Sequence, residues 1–243
     1  SVYRELINLN AIMNLPKGTE HFMSDLHGEY DVFYHIINNC SGVIREKVAM
    51  LYGDELTVYE QQELCTLIYY PREKLSILMD ENKVNDEWYR NVLNQLIQIA
   101  KLLSSKYTRS KVRKAMPVDF AYIIDELIHA QKDEDDNRSV YHRQIMETIL
   151  SLHNGDEFLV ALTDLIKRLA VDHLHILGDI YDRGAHADKI LDLLMEHHSV
   201  DIQWGNHDIL WMGAFCGNPV CMALVVRNNI KYKTMSILEN GYG

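Results

Sequence analysis

What this sequence lacks narrows it first. Basic residues are in deficit: 24 lysines and arginines stand against 35 aspartates and glutamates, a net charge of −11 at pH 7. That balance argues against a general nucleic-acid or anionic-membrane binder, whose footprint is basic. Phosphate ligands stay open, because bound cations reverse the local field. Cysteine is scarce, and Cys40, Cys65, Cys216 and Cys221 form no Cys-x-x-Cys pair. Reduced, partly buried thiols in a cytosolic protein are the expectation. No apolar run approaches the roughly 18–20 residues of a membrane helix, and no signal peptide is read. Internal repeats and low-complexity tracts are absent too. The chain starts at Ser1 and stops at Gly241-Tyr-Gly243, an ending that reads as mid-chain sequence and so as a piece of a longer protein.

What is present is ordinary globular composition: 47% apolar and 24% charged over 243 residues. That suffices for one large domain or two small ones with a sizeable core. Residues 4–14 have weak helical spacing, and Thr19–Met23 reads as a short strand running into a polar loop. Val32, Phe33, Ile36 and Ile37 then recur at helical intervals. From about Ser41 to Ala170 the pattern is amphipathic helix with no convincing strand. Thr57 caps one helix, with Glu60 at the capping-box position, and Asn85 caps another that runs to about Ser105. In the latter, Trp88, Val92, Leu96, Ile99 and Leu103 form one stripe. Pro117 suits a first helical turn, and Asp133-Glu-Asp-Asp136 reads as a solvated acidic linker. Helices over 138–153 and 156–170 follow, separated by Asn154-Gly155. Strand–helix alternation then resumes with strand His173–Leu177, helix Ala187–His197 and strand Asp201–Trp204. Asn218-Pro219 opens what reads as a last helix.

Three strand-end loops hold the ionisable residues: Asp25-Leu-His-Gly28, Gly178-Asp-Ile-Tyr-Asp-Arg-Gly184 and Gly205-Asn-His-Asp208. Right-handed crossovers bring all three to the same sheet edge, where open α/β sheets bind ligands. Together they present carboxylate, imidazole and amide donors, a mixture suited to divalent manganese, iron or zinc, with one carboxylate able to bridge two ions. Any one such loop serves equally as a turn with a helix cap. Three in sequence, each after a strand and each opening a helix, point to a metal site.

These motifs resemble the calcineurin-like metallophosphoesterases. Within that superfamily, the stretches Asn14 to Tyr30, Ser41-Gly-Val-Ile-Arg-Glu-Lys47 and Ile180-Tyr-Asp-Arg-Gly184 are similar to the class III fructose-1,6-bisphosphatases of Firmicutes and related bacteria. The resemblance covers essentially the whole chain but only the amino-terminal part of that family's longer protein. It implies an α/β fold: a partial metallophosphoesterase-type βαβ core from residues 1–40 and 171–243, interrupted by an all-helical insertion over 41–170. It implies a cytoplasmic hydrolase that removes the 1-phosphate of fructose 1,6-bisphosphate in gluconeogenesis. Two divalent ions are its cofactors, manganese first, with iron or zinc as alternatives. By the same resemblance Asp25 and His27 hold the first metal, Asp179 bridges both, and Asn206 holds the second. His207 is the general acid, oriented by Asp208. Arg183 grips the phosphate, with Asn206 and His207 beside it, and Asp182 supports the loop. The superfamily completes its metal sites with later histidines, so these residues alone are expected to bind metal weakly and turn over little substrate. Ser24-Asp25 and Gly-Asn-His-Asp depart from the Gly-Asp and Gly-Asn-His-Glu of protein phosphatases, which tilts the reading away from them.

The remaining histidines read as structural. His173 and His175 share a strand face and are expected to pack or hydrogen-bond beside the site, and His197-His198 ends a helix, where a cation suits the dipole. His21, His35, His129, His142 and His153 lack partner spacing, and Arg109 to Lys114 reads as a solvated helix face. The expected partner is a small sugar bisphosphate, with no nucleic acid and no membrane; homo-oligomerisation stays open. The alternatives are a metallophosphatase acting on a phosphoprotein or dinucleoside polyphosphate, and a non-catalytic binding module with a vestigial site. Nothing in the insertion's sequence chooses among a lid, an oligomer interface and an effector site.

Overall fold

The computed structural model describes residues 2–130 and 136–242. In chain order the elements are α1 (Val2–Met13), β1 (Glu20–Met23), α2 (Tyr30–Asn39), α3 (Val43–Tyr52), α4 (Val58–Tyr69), α5 (Pro71–Asp80) and α6 (Asp86–Ser104). There follow α7 (Arg109–Ala115), α8 (Ala121–Ile128), α9 (Asp136–Ser151), α10 (Gly155–Ala170), β2 (His173–Ile176) and α11 (Ala187–Glu196). Then come β3 (Val200–Ile202), α12 (Asn206–Phe215), α13 (Pro219–Tyr232) and α14 (Met235–Tyr242). The helix at Asn218-Pro219 is therefore not the last, since α14 follows it. Positions 133–135 of the acidic run lie outside the described residues. The chain divides into two compact units, one from the described residues of 1–18 and 38–171, the other from those of 19–37 and 172–243.

The first unit is helical. Its core joins α6 to α10 through Leu93, Leu96, Phe158, Leu162 and Leu165, all fully buried. The expected stripe on α6 is buried at Val92, Leu96, Ile99 and Leu103, and Trp88 packs against the core's edge. Its helix starts follow from their caps. The Thr57 hydroxyl accepts from Glu60 N while the Glu60 carboxylate accepts from Thr57 N at 2.8 Å. Asn85 Oδ1 accepts from Trp88 N at 2.8 Å. Each such cap stabilises its helix by about 1 kcal/mol. Cys40 and Cys65 are buried, whereas Cys216 is exposed. Burial pushes the Cys40 thiol up to about 12, so it stays protonated at neutral pH. Helix α1 carries no buried residue.

The second unit is an α/β layer around a parallel sheet of order β1-β2-β3. Strand alternation sends Leu174 and Ile176 to one face, where they are fully buried with Phe33 of α2 and Ile190 and Leu194 of α11. Each such side chain stabilises the fold by about 1.5–3 kcal/mol. The opposite face carries Glu20 and Phe22 of β1, His173 and His175 of β2, and Asp201 of β3, paired Glu20 with His173, Phe22 with His175 and His175 with Asp201. Leu177 does not extend the buried run. It lies past the strand end and is 46% exposed.

Candidate active site

The loops after β1 and β2 are laced together by main-chain hydrogen bonds past the strand ends. Leu177 N donates to Met23 O at 2.7 Å, Asp25 N to Gly178 O at 3.1 Å, His27 N to Asp179 O at 2.8 Å and Gly28 N to Ile180 O at 2.8 Å. Gly184 N returns to His27 O at 2.7 Å. The approach is close enough that a Cβ on Gly28 would lie 2.5 Å from Gly184 O, so neither position tolerates a side chain. The lacing places Asp25, His27 and Asp179 together, with one donor atom from each within 4.8 Å of the other two.

His27 is oriented for ligation. Its Nδ1 lies 3.1 Å from Tyr181 O, so Nδ1–H donates there and the free lone pair is on Nε2. Nε2 is buried without a hydrogen-bond partner and sits 3.5 Å from Asp25 Oδ1. A buried acceptor with no donor is costly unless something fills it. A divalent cation held by imidazole and carboxylates fits that geometry.

The partner of His207 differs from the expectation. His207 Nδ1 lies 2.6 Å from Asp182 Oδ2, not on Asp208. Asp182 is itself buried, accepting from Trp211 Nε1 at 2.9 Å and from Asn228 Nδ2 at 2.8 Å. Asp208, fully buried, is committed elsewhere. Its Oδ2 accepts from Asp179 N at 2.8 Å and Gly205 N at 2.9 Å, and its Oδ1 from Ile180 N at 2.8 Å and Tyr181 N at 3.1 Å. With four amide donors on two oxygens it has no lone pair to spare for an imidazole. Asp208 is thus the clamp of the Asp179 loop, and Asp182 orients His207. The sequence gives Trp211 a weak signal, since it lies one helical turn from His207 on α12. Asn228, inside α13, has none.

The other expected site residues are placed as follows. Asp179 Oδ1 accepts from His207 N at 3.2 Å, tying the second loop to the third. Asn206 is the exposed first residue of α12, directly before His207. Arg183 is exposed in the loop after β2, and no carboxylate among the described residues lies within ion-pair distance of it. Backbone φ is positive at Asp25 (55°), His27 (45°), Asp179 (56°), Asp182 (65°) and Arg183 (74°). Such left-handed positions concentrate at functional sites.

His197 corrects another expectation. It caps α11 but is no cation at neutral pH: burial, then the neighbouring His198, push it down to about 4. Its Nδ1 rests 2.9 Å from Ser199 O.

The family model described as Firmicute fructose-1,6-bisphosphatase matches residues 1–243. The chain is 56% identical over 239 residues to a Clostridium beijerinckii protein named fructose-1,6-bisphosphatase class 3, covering 98% of this chain and 36% of that protein. Proteins of the same name from Listeria innocua and Bacteroides fragilis are 54% and 52% identical, with the same coverage. The chain therefore spans about a third of the length of these relatives. No solved structure matches it. By the match along its whole length, this chain belongs to the Firmicute fructose-1,6-bisphosphatase family.

Proposed function

We propose that the chain supplies the metal and phosphate site of a cytoplasmic phosphomonoesterase that converts fructose 1,6-bisphosphate to fructose 6-phosphate and phosphate, a gluconeogenic step. The observation that carries this reading is the Asp25–His27–Asp179 cluster around the buried, unpartnered His27 Nε2. The family match supplies the sugar substrate. In this reading residues 1–40 and 171–243 belong to a metallophosphoesterase-type core, and 41–170 are its helical insertion.

Asp25 and His27 would hold one divalent ion and Asn206 a second, with Asp179 between them. Manganese is the first choice, and iron or zinc suit the same donors. Bound ions supply Lewis acidity toward the phosphoryl oxygens and the attacking water. The chain's own residues do the rest. Arg183 offers a planar fork to phosphate oxygens. Asp182 fixes the His207 ring by its Nδ1, which leaves Nε2 to deliver a proton to the departing sugar oxygen. Asp208 takes no part in proton transfer; it holds the loop on which Asp179 stands.

The test places these residues in the framework of the longer Clostridium beijerinckii relative and measures phosphate release with manganese present. Fructose 1,6-bisphosphate should be turned over with higher kcat/KM than a phosphopeptide or a dinucleoside polyphosphate. Asp179→Asn should lower kcat by about 10²–10⁴-fold, the several kcal/mol that a positioned metal contributes. Parent-like turnover by folded Asp179→Asn would refute the metal assignment, and preference for either other substrate would refute the sugar.

A further inference from the structure

We propose that His173, His175 and Asp201 form a second transition-metal site, on the open face of the sheet, with zinc as the fitting ion. It is separate from the Asp25 cluster and does not rest on the phosphatase reading. The three side chains each offer a donor atom within 4.8 Å of the other two. They reach this position through the strand period. His173 and His175, two apart on β2, point to the same face, and Asp201 stands opposite His175 on β3.

Each imidazole has one nitrogen engaged or faced by an oxygen partner and the other turned to the cluster. His173 Nδ1 lies 2.6 Å from Ser199 Oγ. With its proton donated there, the lone pair is on Nε2, which is buried without a hydrogen-bond partner. Asp201 Oδ2 is only 2.9 Å from that Nε2, a close approach that is not aligned as a hydrogen bond. The same oxygen is 3.6 Å from His175 Nδ1, and Glu20 Oε2 is 3.4 Å from His175 Nε2. Tetrahedral zinc with bonds near 2.0–2.1 Å holds its donors roughly 3.3 Å apart, and the two imidazole–carboxylate separations, 2.9 and 3.6 Å, lie on either side of that value. Ser199 and Glu20 stand where outer partners of ligating histidines stand, each facing the ring nitrogen that the metal does not use. The rings are fixed by contact. His175 stacks on Phe22 with centroids 4.4 Å apart and planes 13° apart, and His173 meets His175 edge-on at 4.4 Å.

Two imidazoles and a carboxylate prefer zinc, copper or nickel to manganese or magnesium, so this site and the Asp25 cluster would sort different ions. Occupied, it would tie β2 to β3 and, through Glu20, to β1.

The experiment titrates cobalt(II), then competing zinc, into the chain carrying His27→Gln and Asp179→Asn, which removes the imidazole and one carboxylate of the first cluster. We expect one equivalent of cobalt with the visible absorption of imidazole-bound, low-coordinate ion, displaced by zinc. Zinc affinity should fall by more than about 100-fold in a His173→Gln background and about 10-fold for Ser199→Ala, the usual effect of losing an outer partner. Cobalt binding unchanged by His173→Gln, or no binding tighter than in a His173→Gln/His175→Gln double variant, would overturn the proposal. Circular dichroism without metal checks that each variant folds. Should the histidine variants fail that check, Asp201→Asn, at an exposed position, carries the same expectation of weakened zinc binding, and parent-like affinity there would overturn it.

Discussion

Asp208→Asn separates the two accounts of Asp208 most sharply. The carboxylate receives Asp179 N and Gly205 N on one oxygen and Ile180 N and Tyr181 N on the other, at 2.8–3.1 Å, with no solvent exposure. An asparagine keeps one oxygen and turns an NH₂ toward the other pair, whichever way it flips. Two buried amides then lose their acceptor and face a donor. Hydrogen bonds to a charged group contribute about 1.5–3 kcal/mol each, so the loss is about 3–6 kcal/mol. Against a typical domain stability of about 5–15 kcal/mol, that is a large fraction. Equilibrium urea unfolding with chelator present, so that metal binding adds nothing, gives the difference directly. Hydrogen exchange then locates it: two of the amides of residues 179, 180, 181 and 205 should lose protection while those of α6 and α10 keep it. A variant within about 1 kcal/mol of the parent, with all four amides protected, would refute the clamp. An Asp208 that served only to orient His207 would give that result.

Three further outcomes follow from the same geometry. Gly178→Ala should destabilise by about 2–6 kcal/mol in urea unfolding, because φ is +93° there and the new Cβ meets the Gly205 Cα at 2.7 Å; parent-like stability would show that the two loops can separate. Trp211→Phe keeps an aromatic ring against Tyr181 but removes the indole N–H from Asp182 Oδ1, and should cost about 1–3 kcal/mol in the same assay. His197, pushed down to about 4 in the fold against 6.5 unfolded, takes up a proton on unfolding throughout that window. Its contribution to stability is therefore present above pH 6.5 and is lost as pH falls toward 4. His197→Asn should flatten the stability–pH curve between those values, and parallel curves for parent and variant would count against a neutral, half-buried imidazole.

The three strands, most of the helices and the three strand-end loops were legible, because each rests on a local signal: alternation, a cap, a glycine that ends a run; α3 and α5 were not singled out, and the third strand begins and ends earlier than its alternation suggested. Thr57 with Glu60 and Asn85 with Trp88 show how far that goes, since an N-cap hydrogen bond spans three residues and needs no tertiary context. The Asp25–His27–Asp179 grouping was legible for a different reason, in that parallel strands deliver their loops to one edge. Which carboxylate faces His207 was not. Asp182 and Asp208 are both plausible by spacing, and the choice lies in the loop backbone, where φ of 65° at Asp182 carries that side chain to His207, Trp211 and Asn228. The neutrality of His197 was hidden as well. A helix end argues for a cation, and only burial, a tertiary property, reverses it.

The clamp and the strained backbone explain each other. Five non-glycine residues of the site sit at positive φ, and each such position costs on the order of 1 kcal/mol or more. Those conformations persist only where the surroundings over-determine them. Around Asp179 they do: its amide is held by Asp208, its carbonyl by His27 N, and its carboxylate by His207 N. At Asp182 the carboxylate is held from three sides by an imidazole, an indole and an amide. The strain therefore falls on the residues whose side chains converge, and part of what holds them comes from Asp208, Trp211 and Asn228, which stand outside the Asp25–His27–Asp179 cluster. This division accounts for two adjacent acids with unlike tasks in Asp179 and Asp208. One stands beside Asp25 and His27, and the other is saturated by amides and so holds the loop that carries the first.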